Sequence, residues 1–230
     1  MIFGILFCTT VFAHTIEWYV GDNLLSTTTC ESGDNITPPS APAKYGYHFK
    51  GWLEYQPIEY LDISQGSFLQ ISYQFNTNTV FETRIAITEN MSNDNGIFGN
   101  GWAQRSFLVI FINNRFKSYF NNSTGIENTK TIVRNIPYKL KIGNGFIDVD
   151  GFTVDGPQLN TLSASSLRIP YARVSGTFRF YYFQIYDNDT LVRDFIPVLD
   201  PDGIPCMYDK VERKFYYNAG TGQFIAGPAI

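Results

Sequence analysis

A period of two constrains this chain more than any other feature. In residues 14–20, HTIEWYV, the side chains Ile16, Trp18 and Val20 alternate with Thr15, Glu17 and Tyr19. Successive side chains on a strand leave opposite faces, so such alternation predicts a half-buried β-strand. Strand patterns recur at 67–75, 79–87, 107–113, 116–120, 130–133, 138–142 and 146–149, then at 152–154, 176–186, 190–197, 205–209 and 214–217. Asn113-Asn114, Asp150-Gly151 and Asp187-Asn188-Asp189 stand between pairs of these runs, where tight hairpins need residues tolerant of positive φ. No stretch of about a dozen residues keeps a 3.6 period with caps, so any helix is a single turn, around residues 157–166. Short strands at regular spacing predict an all-β chain: an antiparallel β-sandwich, or jelly roll, with a small N-terminal β unit.

Composition agrees and removes several functions. Aromatic residues make up 17% of the chain, and charged residues also only 17%, a balance that suits pleated surfaces better than helical ones. The net charge of −4 comes with Lys and Arg scattered singly. A nucleic-acid partner requires a clustered positive face and is not expected, and the same holds for an anionic membrane surface. The three cysteines, Cys8, Cys30 and Cys206, form no CxxC pair, and His14 and His48 are the two histidines, so a Cys/His zinc site is not expected. One disulfide with a free thiol and three reduced thiols both fit; buried reduced thiols, acting as small hydrophobes, are the preferred reading.

The division expected along the chain is residues 1–13, 14–53 and 54–230. The apolar run 2–13 lacks the positive leader region of a signal peptide, although Val11-Phe12-Ala13 looks like a cleavage site. It is too short to span a bilayer, which takes about 20 residues, and reads as a strand or an anchor. Residues 14–53 hold the first alternating strand, a turn at Gly21-Asp22-Asn23, a proline-rich arm through Pro38, Pro39 and Pro42, and the closing string Tyr45-Gly46-Tyr47-His48-Phe49-Lys50-Gly51-Trp52.

That closing string, with the strand ending in Trp18-Tyr19-Val20, resembles the Listeria–Bacteroides repeat of bacterial surface proteins, whose pattern is Gly-Tyr-x-Phe-x-Gly-Trp. The resemblance implies a small β unit of a kind used in stalks, here in one copy. From about residue 58 to 227 the chain resembles the concanavalin-A-like, or laminin-G-like, lectin sandwich of bacterial and phage surface proteins. The residues that carry this are Ile58-Glu59-Tyr60-Leu61 at the start and, near the end, residues 183–197, Met207-Tyr208-Asp209-Lys210, Phe215-Tyr216-Tyr217-Asn218 and Gly220-Thr221-Gly222. It implies an extracellular or particle-surface β-sandwich; the fold hosts sugar binding, protein binding, hydrolysis and scaffolding alike.

A glycoside hydrolase needs paired carboxylates across a cleft, and concanavalin-type hydrolases carry Glu-x-Asp-x-x-Glu on one strand; no such string occurs. Asp148 and Asp150 share a side but run into a turn, where Asp serves turn chemistry. His14 and His48 have no nucleophile elbow to serve, so no enzyme activity is expected. The turns Asp187-Asn188-Asp189 and Asp200-Pro201-Asp202-Gly203 offer hard oxygens compatible with calcium. The same side chains commonly satisfy their own backbone, and no metal ligand or cofactor is assigned. Candidate ligand-binding residues are Trp102, Asn113 and Tyr119, where an aromatic ring for stacking stands close in sequence to asparagine amides. The function expected is non-catalytic adhesion to a surface glycan or protein, on a bacterial surface or a phage particle. The alternative is a structural decoration protein of an assembly that binds its own copies or a particle scaffold.

Overall fold

The computed structural model describes residues 14–20, 23–31, 34–43, 55–88, 91, 95–100, 107–120, 125–162, 164–171 and 176–230. Chain contacts divide it into two compact units, Met1–Tyr55 and Gln56–Ile230. All regular structure among the described residues is β. The repeat-like string 45–52 and the apolar run 1–13 lie outside the described residues, as do His48, Cys8 and Trp102.

In the first unit β1 (His14–Val20) pairs antiparallel with β2 (Asn23–Cys30), with a register shift between Trp18 and Tyr19. The Trp18 indole Nε1 donates to Thr28 Oγ1 across the hairpin at 2.9 Å. Tyr19, Val20, Leu24 and Leu25, around the turn, are exposed.

The second unit is a sandwich of two antiparallel sheets. In chain order its strands are β3 (Gln56–Pro57), β4 (Leu61–Ser64), β5 (Leu69–Phe75), β6 (Thr79–Ile87), β7 (Asn95–Gly99), β8 (Phe107–Ile112), β9 (Arg115–Phe120) and β10 (Ile126–Glu127). Next come β11 (Pro137–Gly143), β12 (Phe146–Val149), β13 (Phe152–Asp155), β14 (Ala164–Ile169), β15 (Thr177–Asp187) and β16 (Thr190–Leu199), then β17 (Pro205–Asp209), β18 (Lys214–Tyr216) and β19 (Ile225–Ala226). Six of them form one sheet in the order β10-β9-β8-β7-β14-β5. The other sheet has eleven strands, with β13-β12-β11-β6-β15-β16-β17-β18 as its spine, β4 beside β15, β19 on β4 and β3 on β16.

The alternation read from the sequence becomes the core. Phe81, Ile85 and Ile87 of β6 and Phe178, Phe180, Phe183 and Ile185 of β15 point inward from the large sheet. Ile71 and Phe75 of β5, Phe98 of β7 and Phe107, Val109 and Phe111 of β8 meet them from the small one. Phe81 stacks on Phe107 with centroids 4.6 Å apart and rings 15° from parallel, and Phe98 meets Phe183 edge-on at 5.2 Å. The hairpin turns carry positive φ where the sequence predicted: 50° and 57° at Asn113 and Asn114, 49° at Asp150, and 47° and 60° at Asn188 and Asn188's neighbour Asp189.

Two expectations are corrected. Residues 130–133 form no strand; Ile132 is buried as an irregular segment, its N–H donating to the Asn114 carbonyl at 2.8 Å. Among the described residues of 157–166 there is no helical turn, and β14 begins at Ala164. The reason is a side-chain clamp: Asn144 accepts from Leu159 N–H and donates to Leu159 C=O, both at 2.8 Å, so Leu159's backbone is satisfied as a ladder would satisfy it. β7 escaped notice because its sequence, NGIFG, reads as a loop. Gly99 is required there: a Cβ would stand 2.6 Å from the Phe107 carbonyl oxygen of the adjacent strand.

Two outcomes follow from this packing. Phe81→Ala removes the ring in contact with both sheets and is expected to cost about 3–5 kcal/mol, read from denaturant unfolding; a loss below about 1 kcal/mol would show that the two sheets do not depend on it. Cys206 is fully buried and unbridged, and burial, then the nearby Asp200 charge, pushes its thiol up to about 12. Native protein at pH 8 should leave Cys206 unalkylated by iodoacetamide, and denatured protein should not, with the peptide mass as the readout.

Candidate functional site

A sandwich core consumes the inner faces, so any site must use outer faces, edges or loops. Two of the sequence-based candidates, Asn113 and Tyr119, belong to the six-stranded sheet and its turns. Asn113 is exposed in the β8–β9 turn. Tyr119 is half-buried on β9, on the face opposite Phe116, Ser118 and Phe120, with the Lys117 ammonium 5.0 Å from its ring centroid. Trp102 lies outside the described residues, so the grouping of these three side chains is not drawn.

The densest functional arrangement is on the outer face of the eleven-stranded sheet. It originates in a phase change within β15. Phe178 and Phe180 point inward, then Phe183 and Ile185 do, leaving an extra residue between. The ladder with β6 records this as a bulge: Phe180 pairs with Ile85, and Tyr182 with the next residue, Arg84. Tyr181 and Tyr182 are both half-buried, outside the phenylalanine core. Bulges in β-sheets re-aim side chains and are frequent beside functional sites. Here the bulge is supported from within, since the fully buried Thr83 donates its hydroxyl to the Tyr182 carbonyl at 2.6 Å. A buried hydroxyl among Phe81 and Ile85 is otherwise costly, and this bond satisfies it.

Around the bulge two linked groups form. Tyr181 meets Tyr60 edge-on at 5.7 Å, with the Arg84 guanidinium 5.2 Å from the Tyr181 centroid and that of Arg179 4.3 Å from Tyr60's. Arg179 Nε donates to Asp62 Oδ1 at 3.0 Å, directly across the β4–β15 ladder. The second group runs across β11, β6, β15 and β16. Tyr182 donates its hydroxyl to Glu82 Oε1 at 3.1 Å, and Lys139 Nζ lies 2.8 Å from the same oxygen. Tyr186 donates to Gln184 Oε1 at 3.0 Å, and Gln184 Nε2 donates to Asp194 Oδ1 at 2.9 Å.

Electrostatics keep the phenols as donors. Burial pushes the Tyr182 hydroxyl above its ordinary value, and the Glu82 charge adds to it. Tyr181 and Tyr186 are raised for the same first reason, burial, with Glu59 and Glu82 next. Asp62 is raised by burial against the opposing pull of Arg179. The face thus presents neutral phenol donors, an amide, carboxylate acceptors and guanidinium groups, most of them already oriented by one another. Such a set can stack against a ring and exchange hydrogen bonds with hydroxyls.

The calcium-compatible turns are engaged internally. Asp200 Oδ1 accepts from the N–H groups of Asp202 and Ile204 at 3.0 and 2.8 Å, and Oδ2 accepts from the Tyr217 hydroxyl at 2.8 Å. Both Asp187 carboxylate oxygens accept from Asn76 Nδ2, at 3.1 and 3.2 Å. Among the described residues no group of three or more His, Cys, Asp or Glu side chains could hold a metal ion, and no helix is long and apolar enough to cross a membrane.

Sequence reasoning missed the tyrosine face, although the signal was present. The string Phe178-Arg179-Phe180-Tyr181-Tyr182-Phe183-Gln184-Ile185 holds its period of two except for a single step of three between Phe180 and Phe183. That step is the bulge. A scan against protein-family models finds no match to this chain, and a search of curated proteins finds none either.

Thr83→Val tests the support of the bulge. It removes the hydroxyl and keeps the volume, leaving the Tyr182 carbonyl short of a donor, and is expected to cost about 1–3 kcal/mol. The near-UV circular dichroism of the tyrosines should change with it. A variant as stable as the parent with an unaltered aromatic spectrum would mean that the bulge holds without Thr83.

Proposed function

We propose that this chain is a non-catalytic binding module that attaches to surface glycans, acting on a bacterial surface or a phage particle. The observation that supports the reading best is the pair of consecutive tyrosines that the β15 bulge turns to the outer face, ringed by Gln184, Glu82, Arg84 and Arg179. Aromatic rings supply apolar faces for sugar rings, while planar amide, carboxylate and guanidinium groups pair with hydroxyls. The resemblance of the second unit to lectin-type sandwiches points the same way. The reading is non-catalytic because Glu82 is tied between Tyr182 and Lys139, Asp62 to Arg179 and Asp194 to Gln184, which leaves exposed Glu59, near Tyr181, without a second free carboxylate among these to work with. A glycosidase needs one carboxylate free to protonate and another free to attack.

One observation favours a second reading, a structural protein that binds its own copies. The tip of the β1–β2 hairpin exposes Tyr19, Val20, Leu24 and Leu25 together, an apolar patch of the kind that marks contact surfaces.

Glycan-array and whole-cell binding by the purified chain, with and without EDTA, separates these readings and the two candidate faces. Binding is expected to be saturable, insensitive to EDTA and weakened about tenfold by Tyr181→Ala, the loss of one stacking ring being of the order of 1 kcal/mol. Loss with Tyr119→Ala instead would move the site to the six-stranded sheet, and loss with Trp102→Ala would move it away from the tyrosine pair. A chain that binds no glycan or cell, and that sediments as oligomers dispersed by Leu24→Ser, would establish the structural reading in place of the first.

A further inference from the structure

Resting on the reading of this face as a glycan platform, we propose that its ligand is an acidic saccharide, whose carboxylate is received by Arg84 beside the Tyr181–Tyr182 pair. Three features of Arg84 carry the inference. It stands directly opposite Lys139 across the β6–β11 ladder, an arrangement of like charges that costs stability. Lys139 is compensated by Glu82, at 2.8 Å. Arg84 has no direct ion pair of its own among the described residues: the Asp150 charge, itself bonded to Lys130, acts on it only through space, and its guanidinium is exposed above the ring of Tyr181.

Arg179 shows what a compensated guanidinium looks like two strand positions from the bulge. Its Nε is held by Asp62 and its plane lies over Tyr60, so its role is to fix the ring that meets Tyr181. Arg84 has the same aromatic seat without the carboxylate. The missing partner is of the kind that a guanidinium accepts best, a planar carboxylate taken bidentately, and an ammonium in its place would give only a point charge. A carboxylate supplied by a uronic or sialic acid residue would bring its sugar ring against two tyrosines held on a central strand. Two phenol hydroxyls and Gln184 then face the sugar hydroxyls. A neutral sugar could use the rings but would leave Arg84 without a partner.

The test is calorimetric titration of the full chain with a galacturonate tetrasaccharide, its methyl ester, and 3′-sialyllactose against lactose. The expected result is binding to an acidic probe about tenfold or more tighter than to its uncharged counterpart, the size of one charge-assisted bidentate contact. Arg84→Gln should abolish that preference, weakening the acidic probe about tenfold more than its uncharged counterpart, and Arg84→Lys should restore only part of it. Arg84 is exposed, so a thermal melt that matches the parent will show that Arg84→Gln folds. Equal binding of acidic and uncharged probes, both weakened by Tyr181→Ala, would overturn the acidic ligand and keep the glycan reading. A preference for acidic probes that survives Arg84→Gln, or a stronger preference for sulfated probes, would overturn it as well. Failure of every probe and of the array to bind would overturn both readings together.

Discussion

Phe81 and Phe107 stack across the gap between the two sheets at 4.6 Å, and the rest of the second unit is arranged around that contact. Phe75, Phe98 and Phe183 each lie within 6.0 Å of Phe81, centroid to centroid, so one ring is shared by strands that are remote in sequence. Burying a ring of this size stabilises by about 1.5–3 kcal/mol, and each well-placed aromatic pair adds about 0.5–1.5 kcal/mol. The two sheets therefore need no covalent staple; Cys206 is buried and unbridged. The arrangement also commits both inner faces to packing. Residues that strand alternation sends outward, with the edges and loops, are what the second unit leaves for any contact.

The bulge in β15 resolves a conflict that this core creates. Strict alternation through Phe180-Tyr181-Tyr182-Phe183 would send one phenylalanine to solvent and bury a tyrosine in its place. Inserting one residue keeps both phenylalanines inside and both tyrosines outside. A central strand tolerates such a break only if the backbone groups it frees are satisfied, and Thr83 supplies the donor from the facing position on β6. Phe81, Thr83 and Ile85 share one inward face, yet the middle residue is polar. Its polarity belongs to the neighbouring strand, whose carbonyl it serves, and gives the core no packing advantage.

What could be read from the sequence followed the physics of alternation. Strands that alternate, such as Thr79–Ile87 and Phe146–Val149, were legible to the residue, and so were the hairpin turns at Asn113, Asp150 and Asn188. Strands whose residues answer to a neighbour's shape were not. Asn95–Gly99 carries glycine because the Phe107 carbonyl approaches it, and no local pattern reports a close approach of another strand. Leu159 stands outside any helical turn with both its backbone groups held by Asn144, fifteen residues away. The tyrosine face was hidden for a related reason. Its side chains come from β4, β6, β11, β15 and β16, and only sheet order brings them together. Asn113 and Tyr119, close along the chain, do share the β8–β9 hairpin, because a local hairpin preserves nearness in sequence where long-range ladders do not.

For the proposed glycan face, the placement of its groups bears on how well it would recognise a ligand. Rings on loops must be ordered on binding, at about 0.5–1.5 kcal/mol for each immobilised side chain. Tyr181 and Tyr182 stand on a strand flanked on both sides, by β6 and by β4 with β16, and their backbone position is set by ladders before any ligand arrives. The hydroxyl of Tyr182 is already directed by Glu82, and that of Tyr186 by Gln184, which Asp194 orients in turn. Each of these bonds fixes a donor or acceptor that water would otherwise leave free to rotate, so the ordering cost of the face is met during folding. Rigid placement on a central strand favours discrimination among closely related rings over adaptability to many. The same core that denies the protein its inner faces is what holds this outer one still.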